Sequence, residues 1–415
     1  MSAESVARPQ GKPEPILHRL FPEAVRQSWF YKFVLFPVGQ MLFFIVGAAT
    51  ALTLIAYFIA FLIPEPRENI VLADQISRQL PGMIISGIGI GFVYSMVALG
   101  YTLVYGVLKF INFAHSEIFM VGAVTGFEVM ARIQEAGVLK DWHPIALIIA
   151  VIAGSMLVAG SLAVLIERLA YRPLRNAPRL VPLITAIGIS FILQDLVRAF
   201  FAVTRNDFNL TYPINELDWL RTPIRLVFGE TNVNLRITSI LIIVSAILML
   251  LALNYFVNGT KWGRAIRAVS QDQTMAGLLG INVNLMISLT FFLGGSLGGA
   301  GGALYGMNIG TVTPYVGFIP GLKAFTAAVL GGIGNLTGAL LGGLTLGLIE
   351  SFLNGVLVYF PALGTRYTDI FSFSILILIV IFRLVITDYF AIVIFIIIVI
   401  FKLLLNFISF SIKKI

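Results

Sequence analysis

The sequence predicts an all-α polytopic membrane protein, and three observations carry that expectation. Of its 415 residues, 58% are hydrophobic and only 12% charged, against roughly 45–50% and about 25% in soluble domains. The mean hydropathy of +0.95 leaves too little polar surface to cover the apolar part in water. The apolar residues also gather in long unbroken runs, whereas a membrane β-barrel shows short alternating strands. Segments that span lipid must satisfy their own backbone hydrogen bonds, so each run reads as a helix.

Residues 1–32 form a basic polar tail, with Arg8, Lys12, Arg19, Arg26 and Lys32 against Glu4, Glu14 and Glu23. It has no apolar run and small-residue site of the kind a cleavable signal needs. The first run, about 33–63, exceeds the roughly 20 residues that cross a bilayer and has Trp29 and Tyr31 at its entrance as interfacial anchors. Further runs fall at about 82–107, 113–131, 144–166, 181–202, 237–257, 285–309, 322–352, 369–387 and 389–410. Residues 33–74 are thus an extra span and linker, 75–383 a core of about eight helices, and 384–415 an atypical Ile/Phe/Lys-rich tail.

The net charge of +8 is explained by topology and calls for no nucleic acid. Arg168, Arg172, Arg175 and Arg179 lie in one loop; Lys261, Arg264 and Arg267 lie in another. With the basic tail they fit one solution, N-terminus and both tracts on the cytoplasmic side. The loop at 203–236, where acidic and basic residues balance, is then external. Cysteine is absent and His18, His115 and His143 are scattered, so no metal site, catalytic thiol or cofactor is expected. The sequence also lacks the phosphate-binding GxxxxGK[ST] loop, so ATP hydrolysis by this chain is not expected.

Gly294, Gly298, Gly302, Gly306 and Gly310 recur every fourth residue, as do Gly334, Gly338 and Gly342. Such stripes let helix backbones approach closely. The run Gly331 to Asn335 also reads as a helix break lining a passage, and Gly87, Gly89 and Gly91 as a similar break in the second span. Asn112, His115, Ser116 and Glu117 cluster between the second and third spans. They read either as a capped helix start or as part of a transport path. Glu128 lies further along the third span. Asp195 and Arg198 have the spacing of an intrahelical pair. Lys323 starts the long glycine-rich span and Glu350 ends it. The tract Lys261 to Asn284 reads as an amphipathic helix with a stop at Gly280, either an interfacial element resting on membrane lipid or a docking element.

Four ordered blocks carry a resemblance. SGIGIGFVYSMVALGYTLVYGVLKFINFAHSEIFMVGA (86–123), ERLAYRPLRNAPRLVPLITAIGISFILQD (167–195), WGRAIRAVSQDQTMAGLLGINV (262–283) and NIGTVTPYVGFIPGLKAFTAAVLGGIGNLTGALLGGLTLGLIES (308–351) resemble the branched-chain amino acid ABC transporter permeases, of the LivH-like inner-membrane type. The resemblance implies a permease in a bacterial inner membrane, paired with a second related permease subunit, two ABC ATPase subunits and a periplasmic or lipid-anchored solute-binding protein. It implies a cytoplasmic coupling loop at Gly263 to Asn282, assigning Arg264, Arg267, Asp272, Met275, Ala276, Gly277 and Gly280 to ATPase contact. It makes Asn112, His115, Glu117 and Lys323 the path residues. Gly298, Gly302, Gly306, Gly331, Gly334 and Gly338 are then sites of helix packing or break. Relatives also serve urea, amides and other amino acids. The ending after Arg383 departs from the family, and reads either as an additional span closed by Lys413 and Lys414 or as a shifted frame or fused end. A self-sufficient secondary transporter or channel for a small polar solute is the alternative reading.

Overall fold

The computed structural model describes residues 25, 27–63, 71–175, 177–178, 180–221, 223–228, 231–360 and 364–385. Most of the basic tail, Arg179, and the stretch expected as a span at 389–410 lie outside them. The chain is a helical bundle: α1 (Phe36–Leu62), α2 (Leu72–Leu108), α3 (His115–Glu135), α4 (Pro144–Ile166), α5 (Leu180–Thr204), α6 (Ile237–Gly259), α7 (Lys261–Gln271), α8 (Gln273–Leu278), α9 (Val283–Ile309), α10 (Phe318–Gly331), α11 (Leu336–Leu357) and α12 (Thr368–Val385). A turn of π-helix, Tyr31–Leu35, leads into α1. Among the described residues, seven helical stretches are long and apolar enough to cross a membrane: α1, α2, α4, α5, α6, α9 and α11, some with their flanking turns.

The centre is built from α2, α9 and α11, with α3 and α4 against α9. Small residues bring these axes together. On α9, Gly294, Gly298, Gly302 and Gly306 face Gly100, His115, Phe119 and Tyr212, so the expected stripe is a packing face towards α2, α3 and the 203–236 loop. A second face, Gly295 and Gly299, meets Ala163, Ala159 and the Ser155 carbonyl of α4. With little hydrophobic gain between helices in lipid, such contact supplies the dispersion energy that holds them.

The break expected at Gly87 to Gly91 is revised, and the one expected at Gly331 to Asn335 is found. Gly87, Gly89 and Gly91 do not break α2, which runs unbroken from Leu72 to Leu108 with Pro81 inside. A Cβ on Gly87 or Gly91 would lie 2.9 Å from the Cα of Leu348 or Leu344, so these glycines serve the α2–α11 crossing. The run at 322–352 is not one span. It is broken at Gly332 to Asn335, where Gly332 and Gly334 have φ of 90° and 96°, a left-handed region that glycine enters freely. Asn335 caps α11 by accepting from the Gly338 N–H at 3.2 Å. The chain folds back there, and Lys323 and Glu350, some 40 Å apart on a continuous helix, meet at 2.8 Å.

Two small antiparallel sheets lie in the loops. Leu210–Thr211 pairs with Thr311–Val312, and Ile224–Phe228 forms a hairpin with Thr231–Leu235. The first pins the 203–236 loop over α3 and α9, where the buried Tyr212 donates to the Ala123 carbonyl at 2.5 Å.

Candidate functional site: a polar seam and a coupling unit

Of the three clustered residues, His115 lies against the glycine face of α9 at Gly298, while Asn112 turns to Tyr171 and Glu117 to α5. The capped-start reading fails in its detail: Ala114 is the N-cap and no side chain caps the helix. Asn112 Oδ1 instead accepts from the Ala114 N–H at 3.1 Å and from the Tyr171 hydroxyl at 2.6 Å. His115 stacks edge-on with Tyr101, centroids 4.7 Å apart. Glu117 is fully buried and accepts from Ser190 at 3.1 Å and Gln194 at 2.9 Å, which fastens α5 to α3. Among the described residues, Asn112 Nδ2, His115 Nε2 and Glu117 Oε2 have no hydrogen-bond partner, although buried polar atoms are normally paired.

Lys323 does not join that cluster. It is buried and bridges Glu350 at 2.8 Å and Asp369 at 2.7 Å, while the Tyr94 hydroxyl donates to Glu350 at 2.9 Å. One cation thereby ties α2, α10, α11 and α12. Asp195 and Arg198 form the expected intrahelical pair, at 3.1 Å on an exposed face of α5. Glu128 receives a two-pronged contact from Arg205, at 2.9 and 2.7 Å, and Glu135 a further one from the same guanidinium.

The larger open spaces lie elsewhere, along a seam where α6 meets α2 and α11. A cavity of about 550 Å³ opens at the N-terminal ends of α2 and α6, lined by Arg78, Arg236, Asn308 and several serines. A second, about 380 Å³, lies at the other end of the same helices, lined by Thr102, Asn254, Asn258, Arg267, Asn335 and Thr337. A third of about 240 Å³ shares Asn254, Asn258 and Thr337 with it and reaches Lys32 and Gln40. The break at Gly334 and Asn335 therefore does border an open space. Asn112 lines only a void of about 10 Å³. Sequence reading singled out Arg267 and Asn335 but not the seam as a whole, because its polar residues come from six helices, each unremarkable alone.

The α7–α8 unit sits beside the 380 Å³ cavity. Thr260 accepts from the Gly263 N–H at 3.1 Å and starts α7. Asp272 accepts from the Thr274 and Met275 N–H groups at 2.8 and 2.9 Å and starts α8. Gly280, φ 81°, turns the chain out of it, and Asn282 caps α9. Gly263, Ile266, Val269 and Ala276 face inward; Arg264, Met275, Leu278 and Leu279 face out, the last two leucines 78% and 80% exposed. Arg267 turns back and donates to the Val257 carbonyl and Asn258 Oδ1, both at 2.6 Å. It closes the end of α6, while Gln273 reaches the Val107 carbonyl of α2 at 3.0 Å. Gly277 is exposed beside Leu278.

A clamp that the sequence did not single out stands next to this unit. Glu167, fully buried, takes Arg172 at 3.1 Å, Arg175 and the Ser288 hydroxyl at 2.7 Å. Arg175 also donates to Asn284 at 2.6 Å. The only sign in the sequence is a lone acid before an arginine-rich loop; its partner Ser288 is 121 residues away.

A multi-pass helical bundle with glycine-packed crossings, a polar seam open at both ends and an exposed amphipathic unit at one end has the design of a transport permease. Residues 83–381 match the family described as branched-chain amino acid transport system / permease component, and the chain belongs to that family. It is 40% identical over 303 residues to the high-affinity branched-chain amino acid transport system permease protein BraD of Pseudomonas aeruginosa, covering 72% of this chain and 92% of the relative. It is 38% identical over 299 residues to LivH of Escherichia coli, covering 71% and 91%. A probable LivH of Methanocaldococcus jannaschii is 28% identical over 69% of this chain and 84% of its own.

Proposed function

We propose that this chain is one of two permease subunits of an ATP-driven importer for branched-chain or closely related amino acids, in a bacterial inner membrane. A second related permease, two ABC ATPases and a periplasmic or lipid-anchored solute-binding protein complete the assembly, and the N-terminus lies in the cytoplasm. The observation that carries this is the α7–α8 unit. A cluster of exposed apolar side chains marks an interaction surface where scattered ones do not, and Met275, Leu278 and Leu279 project together from a unit whose inner face is fixed to the ends of α2 and α6. An amphipathic helix laid in a partner's groove is a common mode of docking. Motion of an ATPase seated there passes through Arg267 and Gln273 to the two helices that bound the seam. Arg264, Met275 and Gly277 form the contact, while Arg267, Asp272, Ala276 and Gly280 set its shape.

Asn112, His115, Glu117 and Lys323 serve the path from behind. They hold the α3–α5 and α10–α11 contacts at which the wall helices shift between states. Their unmet or shared polar bonds let a second arrangement form at little cost. Lys32 borders a cavity with Asn258, the residue that Arg267 of the Lys261–Arg267 tract bonds, and a shared basic end supports the cytoplasmic reading.

The test is reconstitution. The tagged chain, purified from its native membrane, brings P-loop ATPases and a second permease, and the complex imports leucine into proteoliposomes only with ATP and binding protein. Transport by the chain alone without ATP sinks this reading in favour of a secondary transporter. Within the complex, Leu279→Asp abolishes ATPase co-purification while leaving the melting temperature of the isolated chain unchanged.

A further inference from the structure

We propose that the 550 Å³ cavity at the N-terminal ends of α2 and α6 is a carboxylate-receiving site, in which Arg78 and Arg236 take the carboxylate of an amino acid entering the seam. This rests on the importer reading and names the chemistry of one end of its path. The cavity lies within the range of about 300–1,000 Å³ that encloses small ligands. Its two cations face it unneutralised: Arg78 and Arg236 form no ion pair among the described residues. That is unlike Arg172, Arg175, Arg198 and Arg205, each of which is paired with a carboxylate.

The remaining lining carries no charge and mixes polar groups with the apolar Met83, Ile85, Ile90 and Leu235. Ser86 and Gln79 come from α2, Ser239 from α6 and Asn308 from α9. Asn308 is held in place, its Oδ1 accepting from Thr238 at 3.1 Å. The start of α6 adds to the positive field, since no side chain caps it and free N–H groups at a helix start favour an anion. A guanidinium holds a carboxylate through paired donors, and a serine-lined wall offers acceptors to an ammonium group. The cavity shares α2 and α6 with the 380 Å³ space at their other ends, so a ligand received here stands at the head of the seam.

The absence of cysteine from the sequence gives a direct test. Ser239→Cys places a single thiol at the cavity in the full chain, purified in neutral detergent or set in vesicles. A sulfonate-bearing methanethiosulfonate should modify it at least about tenfold faster than a trimethylammonium-bearing one, as a positive cleft concentrates anions. Leucine at millimolar concentration should slow the reaction while leucinol, which lacks the carboxylate, does not. Adding Arg78→Gln and Arg236→Gln should bring the two reagent rates together and remove the leucine protection. Equal reagent rates in the single-thiol protein overturn the proposal, as does protection by leucinol equal to that by leucine, or by neither. Protection in phosphatidylglycerol vesicles without leucine, absent in phosphatidylcholine, reassigns the site to a lipid headgroup and also overturns it. Each of these failures leaves ATP-driven uptake by the complex untouched, whereas failure of the importer reading shows as uptake without ATP.

Discussion

Glu167 has no exposed surface, and two guanidiniums and a hydroxyl are arranged around it. Removing one partner of a buried ionic group costs more than the pair was worth, because the others lose their counter-charge. Glu167→Gln is therefore expected to destabilise the detergent-solubilised chain by about 3 kcal/mol, read as a lower melting temperature. Arg172→Gln should cost clearly less, since that side chain is 36% exposed and regains water. Tyr212 poses a different case, in a loop outside the spans. Burial pushes its phenol well above the usual value of 10.0, so the hydroxyl stays a donor to Ala123. The folded chain then holds this proton after the unfolded one has released it. Stability from this group is complete below about pH 10 and declines as pH rises further. Tyr212→Phe should lose about 1 kcal/mol at neutral pH and flatten the alkaline decline, measured by melting between pH 8 and 11. An unchanged alkaline slope would exclude Tyr212 as its source.

The helices that position the seam are set by small residues at crossings, and the penalty for enlarging them differs from place to place. A Cβ on Gly302 would run into the Phe119 carbonyl on α3, a backbone atom that cannot rotate aside, whereas one on Gly298 would meet His115 at 3.4 Å, which is tight but yielding. Gly302→Val should abolish folding or cost at least about 3 kcal/mol, while Gly298→Ala should be tolerated within about 1 kcal/mol; the fraction of monodisperse chain after solubilisation separates them. Seven of the ten expected spans were legible, because hydropathy over 20 residues depends on composition alone. The runs at 113–131 and 369–387 form the helices α3 and α12 but are not among the seven, and 389–410 lies outside the described residues. The four-residue glycine stripe of α9 was legible too. What hydropathy could not reveal was the direction of the chain. The 322–352 run is apolar over most of its length, and the glycines at 332 and 334 with Asn335 mark where it folds back to bring Lys323 to Glu350. At Gly87 to Gly91 the same residue type serves close contact in an unbroken helix. Glycine marks both, and the neighbour decides which. The polar cluster at Asn112 to Glu117 was found by its density in sequence. Arg78, Arg236 and Asn308 were not, since nothing local relates residues drawn from three helix ends.

At the scale of the whole molecule, the bundle divides by how each helix is held. The family match begins at residue 83, beyond α1. α1 packs through a strip, Ala56, Ile59 and Ala60, against Ile76, Leu80, Phe352 and Val356, and through Met41 nearer its start, the rest of it being half-buried or exposed. At its other end Trp29 and Phe33 stack on Tyr255, 5.8 and 5.6 Å between centroids, and Asn254 donates to the Phe33 carbonyl at 3.5 Å. None of these contacts is ionic, and none reaches Glu167, Lys323 or Glu117, where the core helices are locked. In lipid, an apolar strip left by a departing helix is covered by acyl chains at little loss, unlike the same strip in water. A chain beginning after residue 62 is therefore expected to fold, with its melting temperature lowered by no more than about 5 °C, the shift that roughly 1–2 kcal/mol produces in a chain of this size. Because Lys32 and Gln40 border the cavity that joins Asn254 and Asn258, the same truncation widens the inner end of the seam. ATP-driven uptake by the reconstituted complex should persist while leakage of preloaded leucine without ATP rises. Unchanged leakage would mean that α1 only decorates the bundle; loss of uptake with normal melting would make it a working wall of the path.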